Sequence, residues 1–127
     1  MNVLLDTHAL LWFLNGDDLL SAKARRVIED KRNSAFVSIA SLWEIAIKLS
    51  LRKLEYEFGL TKMYQLIEEN GFVILPITFE HTLIVSSLEF IHRDPFDRII
   101  TAQAIKEKMA IMTKDLNIAQ YKVKTIW

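Results

Sequence analysis

Four acidic side chains fall at the ends of short apolar runs or just inside the helical patterns that follow them. Asp6 directly follows Val3-Leu4-Leu5, and Glu44 lies early in the helical pattern after Ala35-Phe36-Val37-Ser38. Asp97 sits in the first turn of a helix opened by Asp94-Pro95, and Asp115 lies three residues past Met112. If the apolar runs are strands of a parallel sheet, at least three of these acids emerge at the rim where the strands end, which is where such sheets bind ligands. Carboxylates gathered there repel and raise one another's pKa unless a cation neutralises them. Mg²⁺ or Mn²⁺ suits such a site, being hard and satisfied by a few carboxylates, waters and substrate phosphates. The implied chemistry is phosphodiester hydrolysis, the ion activating water and stabilising the leaving oxygen.

The elements that must position these acids alternate along the chain. After the first run, Ala9 to Leu14 reads as helix stopped at Asn15-Gly16, and Ser21 caps a second helix reaching about Lys31. Ala35 to Ser38 is the next strand, followed by a mostly apolar helix from Leu42 to Leu51. Leu60 to Asn70 has helical spacing with Gly71 as its stop, Phe72 to Leu75 is β-prone and closed by Pro76, and Glu80 to Leu88 is helical. Asp94-Pro95 opens a helix reaching about Lys108, because proline at the first helical position after an Asp cap is a favoured start. Ala110 to Met112 and Val123 to Ile126 complete five short strands separated by helices. That pattern predicts an α/β fold: a three-layer α/β/α sandwich around a five-stranded, mainly parallel sheet.

Composition narrows the function classes. With 127 residues, 51% hydrophobic, and only three Gly and two Pro, the chain is expected to form one domain over residues 1–127 without a linker or low-complexity tail. Sixteen basic against 16 acidic side chains exclude a strongly basic, non-specific nucleic-acid binder. Zero Cys removes disulfides, thiol catalysis and cysteine-held zinc or iron–sulfur sites. No secretion signal is visible, since Asp6 and His8 cut the opening apolar run, and no stretch approaches the roughly 18 apolar residues of a membrane span. The expectation is a soluble, cytoplasmic protein.

Each acid also has a purely structural reading. Asp6 and Asp115 fit helix N-caps, worth about 1 kcal/mol each, and Asp94 is read as a cap outright. Ser41-Leu42-Trp43-Glu44 matches a capping box, and Glu44 to Lys48 is a favourable i,i+4 pair. Glu44 resists this reading most, because its helix is apolar on nearly every face; a buried carboxylate there needs Lys48 or a metal as partner. His8, His81 and His92 are too dispersed for a zinc motif and read as hydrogen-bonding or surface side chains, while Trp12 and Trp43 read as core. Lys48 and Arg98 could hold phosphates beside the metal; Arg52 reads as a solvated charge. No GxGxxG, P-loop or GxSxG is present.

With the acids placed, the chain resembles the PIN-domain family, specifically the VapC-like ribonuclease toxins of type II toxin–antitoxin pairs. The matching stretches are Leu4-Leu5-Asp6-Thr7-His8-Ala9-Leu10-Leu11-Trp12 and Ser41-Leu42-Trp43-Glu44-Ile45-Ala46-Ile47-Lys48, then His92-Arg93-Asp94-Pro95-Phe96-Asp97-Arg98 and Thr113-Lys114-Asp115. The resemblance implies that Asp6, Glu44, Asp97 and Asp115 bind Mg²⁺ or Mn²⁺, with Thr113 as the small polar residue beside them. It implies an RNA substrate, a homodimer, and a cognate antitoxin protein that occludes the site. Lys48, Arg98 and Thr113 are then candidate phosphate or RNA contacts. Arg52 departs from the family pattern, standing where glycine is expected before Lys53-Leu54.

Two other classes remain as alternatives. A Mg²⁺-dependent phospho-acceptor receiver-like domain would need an adjacent acidic pair after the first strand and an acceptor Asp after the third; here Asp6 stands alone and Leu75 is followed by Pro76-Ile77-Thr78. A non-catalytic binding module would use the acids only as caps.

Overall fold

The computed structural model describes residues 1–54 and 59–127. The alternation expected from the sequence is realised as β1 (Asn2–Leu5), α1 (Thr7–Asn15), α2 (Ala22–Glu29), β2 (Ser34–Ser38), α3 (Ile39–Ser50) and α4 (Gly59–Glu69). It continues as β3 (Val73–Leu75), α5 (Phe79–Ser87), α6 (Pro95–Glu107), β4 (Ala110–Met112), α7 (Leu116–Ala119) and β5 (Thr125–Ile126). The strands form one sheet of order β3-β2-β1-β4-β5, in which every pairing is parallel. Their side chains alternate between two buried faces. Val3, Leu5, Ala110 and Met112 pack with Leu10 of α1, Ile28 of α2, Ile45 of α3 and Ile67 of α4. Leu4 and Ile111 pack on the other face with Ala40, Ile100, Ala104 and Ile118. Burial on both faces is why the strands read as continuous apolar runs.

The chain steps outward from β1 through β2 to β3, then returns through α5 and α6 to lay β4 on the other side of β1. The boundary between β1 and β4 is therefore the point where strand order reverses, the usual ligand crevice of an open α/β sheet. Its register pairs Leu5 with Met112, and the Asp6 amide donates to the Met112 carbonyl at 3.1 Å. Asp6 and Thr113 are thus set side by side just beyond the last paired residues.

Three local expectations are corrected. Helix α3 begins directly after β2 with Ser38 as its N-cap, the Ser38 hydroxyl accepting from the Ala40 amide. Ser41 is therefore an interior helical residue, and Ser41–Glu44 is not a capping box. Trp43 is 61% exposed and not core; its ring meets Phe96 edge-on, with centroids 5.3 Å apart. The short α7 was not anticipated, and β5 spans only two residues.

The Arg52 departure has a backbone consequence. Arg52 has φ +55°, in the left-handed region, and α3 ends there with Arg52 N–H donating to the Leu49 carbonyl and Lys53 N–H to the Lys48 carbonyl. This is the helix stop that glycine normally serves; Gly16 and Gly71 end α1 and α4 with the same bond pair and φ of +64° and +74°. No described helix is long and apolar enough to cross a membrane.

Candidate metal centre

Asp6, at the end of β1, is 5% exposed and caps α1, its Oδ1 accepting from the Ala9 amide at 2.8 Å. Asp115 caps α7 in the same way, its Oδ1 accepting from the Asn117 amide at 2.8 Å. The capping and site readings are thus compatible: each cap engages one carboxylate oxygen. Thr113 lies between the two acids. Its oxygen accepts from the Asp115 amide at 3.0 Å, and its hydroxyl acts on the Asp6 carboxyl to lower its pKa. At 3% exposure Thr113 braces the two acids.

Glu44 reaches the rim from α3 and is 8% exposed. The Thr7 hydroxyl donates to its Oε1 at 2.6 Å, and Lys48 Nζ lies 3.0 Å from Oε2. Lys48 is therefore occupied as a counter-ion. Thr7, which sequence reasoning passed over, also lies 3.0 Å from Ser41 Oγ. Its sequence signal was its place next to Asp6, within the first stretch that carries the family resemblance.

Asp97 enters from the first turn of α6, whose N-cap is Asp94, with Oδ1 accepting from the Phe96 and Asp97 amides. Burial, followed by the charges of Asp94, Asp6, Asp115 and Glu44, pushes its pKa up to about 7. Burial likewise raises Asp6, against the opposing effects of the Thr113 and Ala9 hydrogen bonds. The four sequence-selected acids thus share one electrostatic environment although they come from four different helices or strand ends. His92 Nε2 lies 3.4 Å from Asp97 Oδ2, and His92 Nδ1 lies 2.8 Å from the Tyr121 hydroxyl. The Tyr121 contact joins residues 29 apart, and the Asp97 contact joins residues only five apart in the stretch that opens α6.

Arg98, considered as a phosphate or RNA contact, is turned into the protein. It is 7% exposed, donates to the Leu88 and Glu89 carbonyls and to the Tyr121 hydroxyl, and stacks over Phe90. The first helical turn forces this outcome, since residues 97 and 98 point about 100° apart around the axis. Positive charge at the rim comes from Lys114, which is exposed and lies over the Trp12 ring at 5.3 Å; exposed His8 stacks on the same ring at 5.4 Å.

A carboxylate raised to about 7, first by burial and then by the charges of neighbouring acids, is chemically matched to a hard divalent cation. Among the described residues, no three His, Asp or Glu side chains are drawn together into a ready-made metal cage. The donor chemistry fits an ion; the side chains are not converged on one point.

A parallel α/β/α sandwich with acids on its switch-point rim is the architecture of the family the sequence resembled. The chain belongs to the PIN-domain family, whose model matches residues 3–124. Among solved structures it is similar to VapBC2 from Rickettsia felis bound to a DNA fragment from their promoter, at 14% identity and TM-score 0.75 over 99% of this chain and 98% of that one. It is also similar to a toxin–antitoxin complex from Klebsiella pneumoniae, at 15% identity and TM-score 0.68, covering 98% and 96%. A third is VapC20 of Mycobacterium tuberculosis, a sarcin-ricin loop cleaving toxin, at 15% identity and TM-score 0.66, covering 94% and 95%. At these identities the likeness is one of fold. No curated protein matches the chain in sequence.

Proposed function

We propose that this single-domain chain is a Mg²⁺- or Mn²⁺-dependent endoribonuclease, the cytoplasmic toxin of a toxin–antitoxin pair. The observation that carries the reading is the placement of Asp6, Glu44, Asp97 and Asp115 on one rim beside the β1–β4 switch point, where Asp97 has no Lys or Arg partner among the described residues. Such an arrangement is costly to the apo fold and is relieved by a cation. Asp6, Asp97 and Asp115 would hold the ion, with Glu44 completing the set or orienting a water. A divalent ion bound there supplies Lewis acidity for water attack on an RNA phosphodiester and for the charge developing on the leaving oxygen.

The remaining roles belong to the chain. Thr113 keeps Asp6 and Asp115 in register, and Thr7 with Lys48 holds the Glu44 carboxylate in one orientation. Lys114, exposed beside Asp115 and supported by Trp12, supplies positive charge where an RNA backbone would approach, and exposed His8 stacks on the same ring. A neutral overall charge is consistent with recognition by a few placed cations. The folds of the VapBC relatives support a cognate antitoxin as partner, and the protein is expected to act as a homodimer.

The deciding experiment is cleavage of total cellular RNA by purified, antitoxin-free protein with Mn²⁺, with Mg²⁺ and with chelator, alongside Asp97→Asn. The expected result is discrete, metal-dependent fragments that the variant fails to produce. A protein that neither cleaves RNA nor binds Mn²⁺ would reduce the acids to caps and scaffold.

A further inference from the structure

Beside the acids runs a chain of four polar side chains, Arg98, Tyr121, His92 and Asp97, in which the direction of each hydrogen bond can be worked out. Arg98 Nη1 lies 3.1 Å from the Tyr121 hydroxyl. A guanidinium has no acceptor, so Arg98 donates and the Tyr121 oxygen accepts. Among the described residues the phenolic proton has no acceptor other than His92 Nδ1, 2.8 Å away, so donation to Nδ1 is the arrangement that leaves no polar proton unpaired. With Nδ1 accepting, a neutral imidazole carries its proton on Nε2, which lies 3.4 Å from Asp97 Oδ2. The opposite tautomer would place the Nε2 lone pair against a carboxylate.

The elements give this chain a rigid frame. Arg98 is fixed by the Leu88 and Glu89 carbonyls, and Tyr121 is 5% exposed. The His92 side chain is 13% exposed. We propose that Arg98 and Tyr121 fix the tautomer of His92 so that its Nε2–H is held on Asp97 Oδ2, making His92 a positioning residue that leaves Oδ1 of Asp97 for a cation. The proposal deepens the metal-site reading and rests on it for its consequence, but the tautomer itself does not depend on metal or RNA.

Two readouts on the full-length protein test it. The first is the ¹⁵N shift pattern of the His92 ring in metal-free protein at about pH 8.5, two units above the ordinary imidazole value. The expected pattern is a protonated Nε2 and a hydrogen-bonded, unprotonated Nδ1, the Nδ1 signal moving toward that of a free lone pair in Tyr121→Phe. A protonated Nδ1, or an Nδ1 signal indifferent to Tyr121→Phe, overturns the proposal. The second readout is Mn²⁺ affinity by calorimetry, without RNA. A glutamine amide reaches as far as Nε2 and an asparagine amide only as far as Nδ1. His92→Gln should therefore retain affinity, while His92→Asn and Tyr121→Phe weaken it about 10-fold, as removal of an outer hydrogen-bond partner of a ligand commonly does. Equal affinity in His92→Asn and wild type overturns the positioning role. Failure of the nuclease reading shows instead as intact Mn²⁺ binding and tautomer with no RNA cleavage, so the two failures are distinguishable.

Discussion

Glu44 and Asp97 carry the same charge on the same rim, and the fold treats them in opposite ways. Glu44 receives the Thr7 hydroxyl and the Lys48 ammonium, so its buried charge is matched at both oxygens. Asp97, its side chain 17% exposed, meets among the described residues only a long side-chain contact from His92 while four other acids act on it. A matched carboxylate belongs to the scaffold and stays put; an unmatched one holds a standing affinity for a cation at some cost to the fold. On the proposed reading, Glu44 frames the site and Asp97 is the acid that calls for the cation.

The strongest way to break this contrast is Asp97→Asn. RNA cleavage is expected to fall on the order of 100-fold or more, while the metal-free protein becomes more stable above pH 7. The sign follows from linkage. Asp97 has a folded pKa of about 7 against an ordinary 3.8, so its contribution is most favourable below about pH 4 and is lost as pH rises toward 7. Removing the charge should recover on the order of 2 kcal/mol at pH 8, read by urea denaturation in chelator at pH 4 and pH 8. A destabilised variant at pH 8 would mean that Asp97 is a scaffold residue after all.

Glu44 should behave in the reverse sense. Thr7→Val removes a buried donor to a charged acceptor and is expected to destabilise by roughly 1.5–3 kcal/mol, with activity falling only as Glu44 loses its orientation. Lys114→Ala addresses the rim cations: RNA binding should weaken by about 1 kcal/mol and the salt dependence become shallower, with no change in Mn²⁺ affinity. The smallest effect sharpens the outer edge of the Glu44 helix. Arg52→Gly relieves a left-handed residue at the end of α3 and should raise stability by about 1 kcal/mol without changing cleavage, measured by thermal unfolding beside an RNA assay.

Strand and helix order was legible because burial on both faces leaves continuous apolar runs, and because Ser21, Asp94-Pro95, Gly16 and Gly71 mark helix ends by local chemistry. The misread start of α3 shows the limit of that logic. Ser41 offers the same hydroxyl as Ser38, and only the end of β2 decides which one caps. Trp43 was misplaced for a related reason: apolar periodicity reports that a helix is largely buried but not which large side chain lies over a neighbouring ring at the surface.

Residue type and order by themselves determined the alternating architecture and singled out the four acids behind the proposed hard-cation chemistry, because apolar runs and the acids that follow them can be read in one dimension. Tertiary structure alone decided the partners. Lys48 is a counter-ion, Arg98 is turned inward to Tyr121, Thr113 braces two acids, and His92 faces Asp97. Hydrogen-bond direction and desolvation depend on atoms brought together from distant parts of the chain, and no spacing within the sequence encodes them.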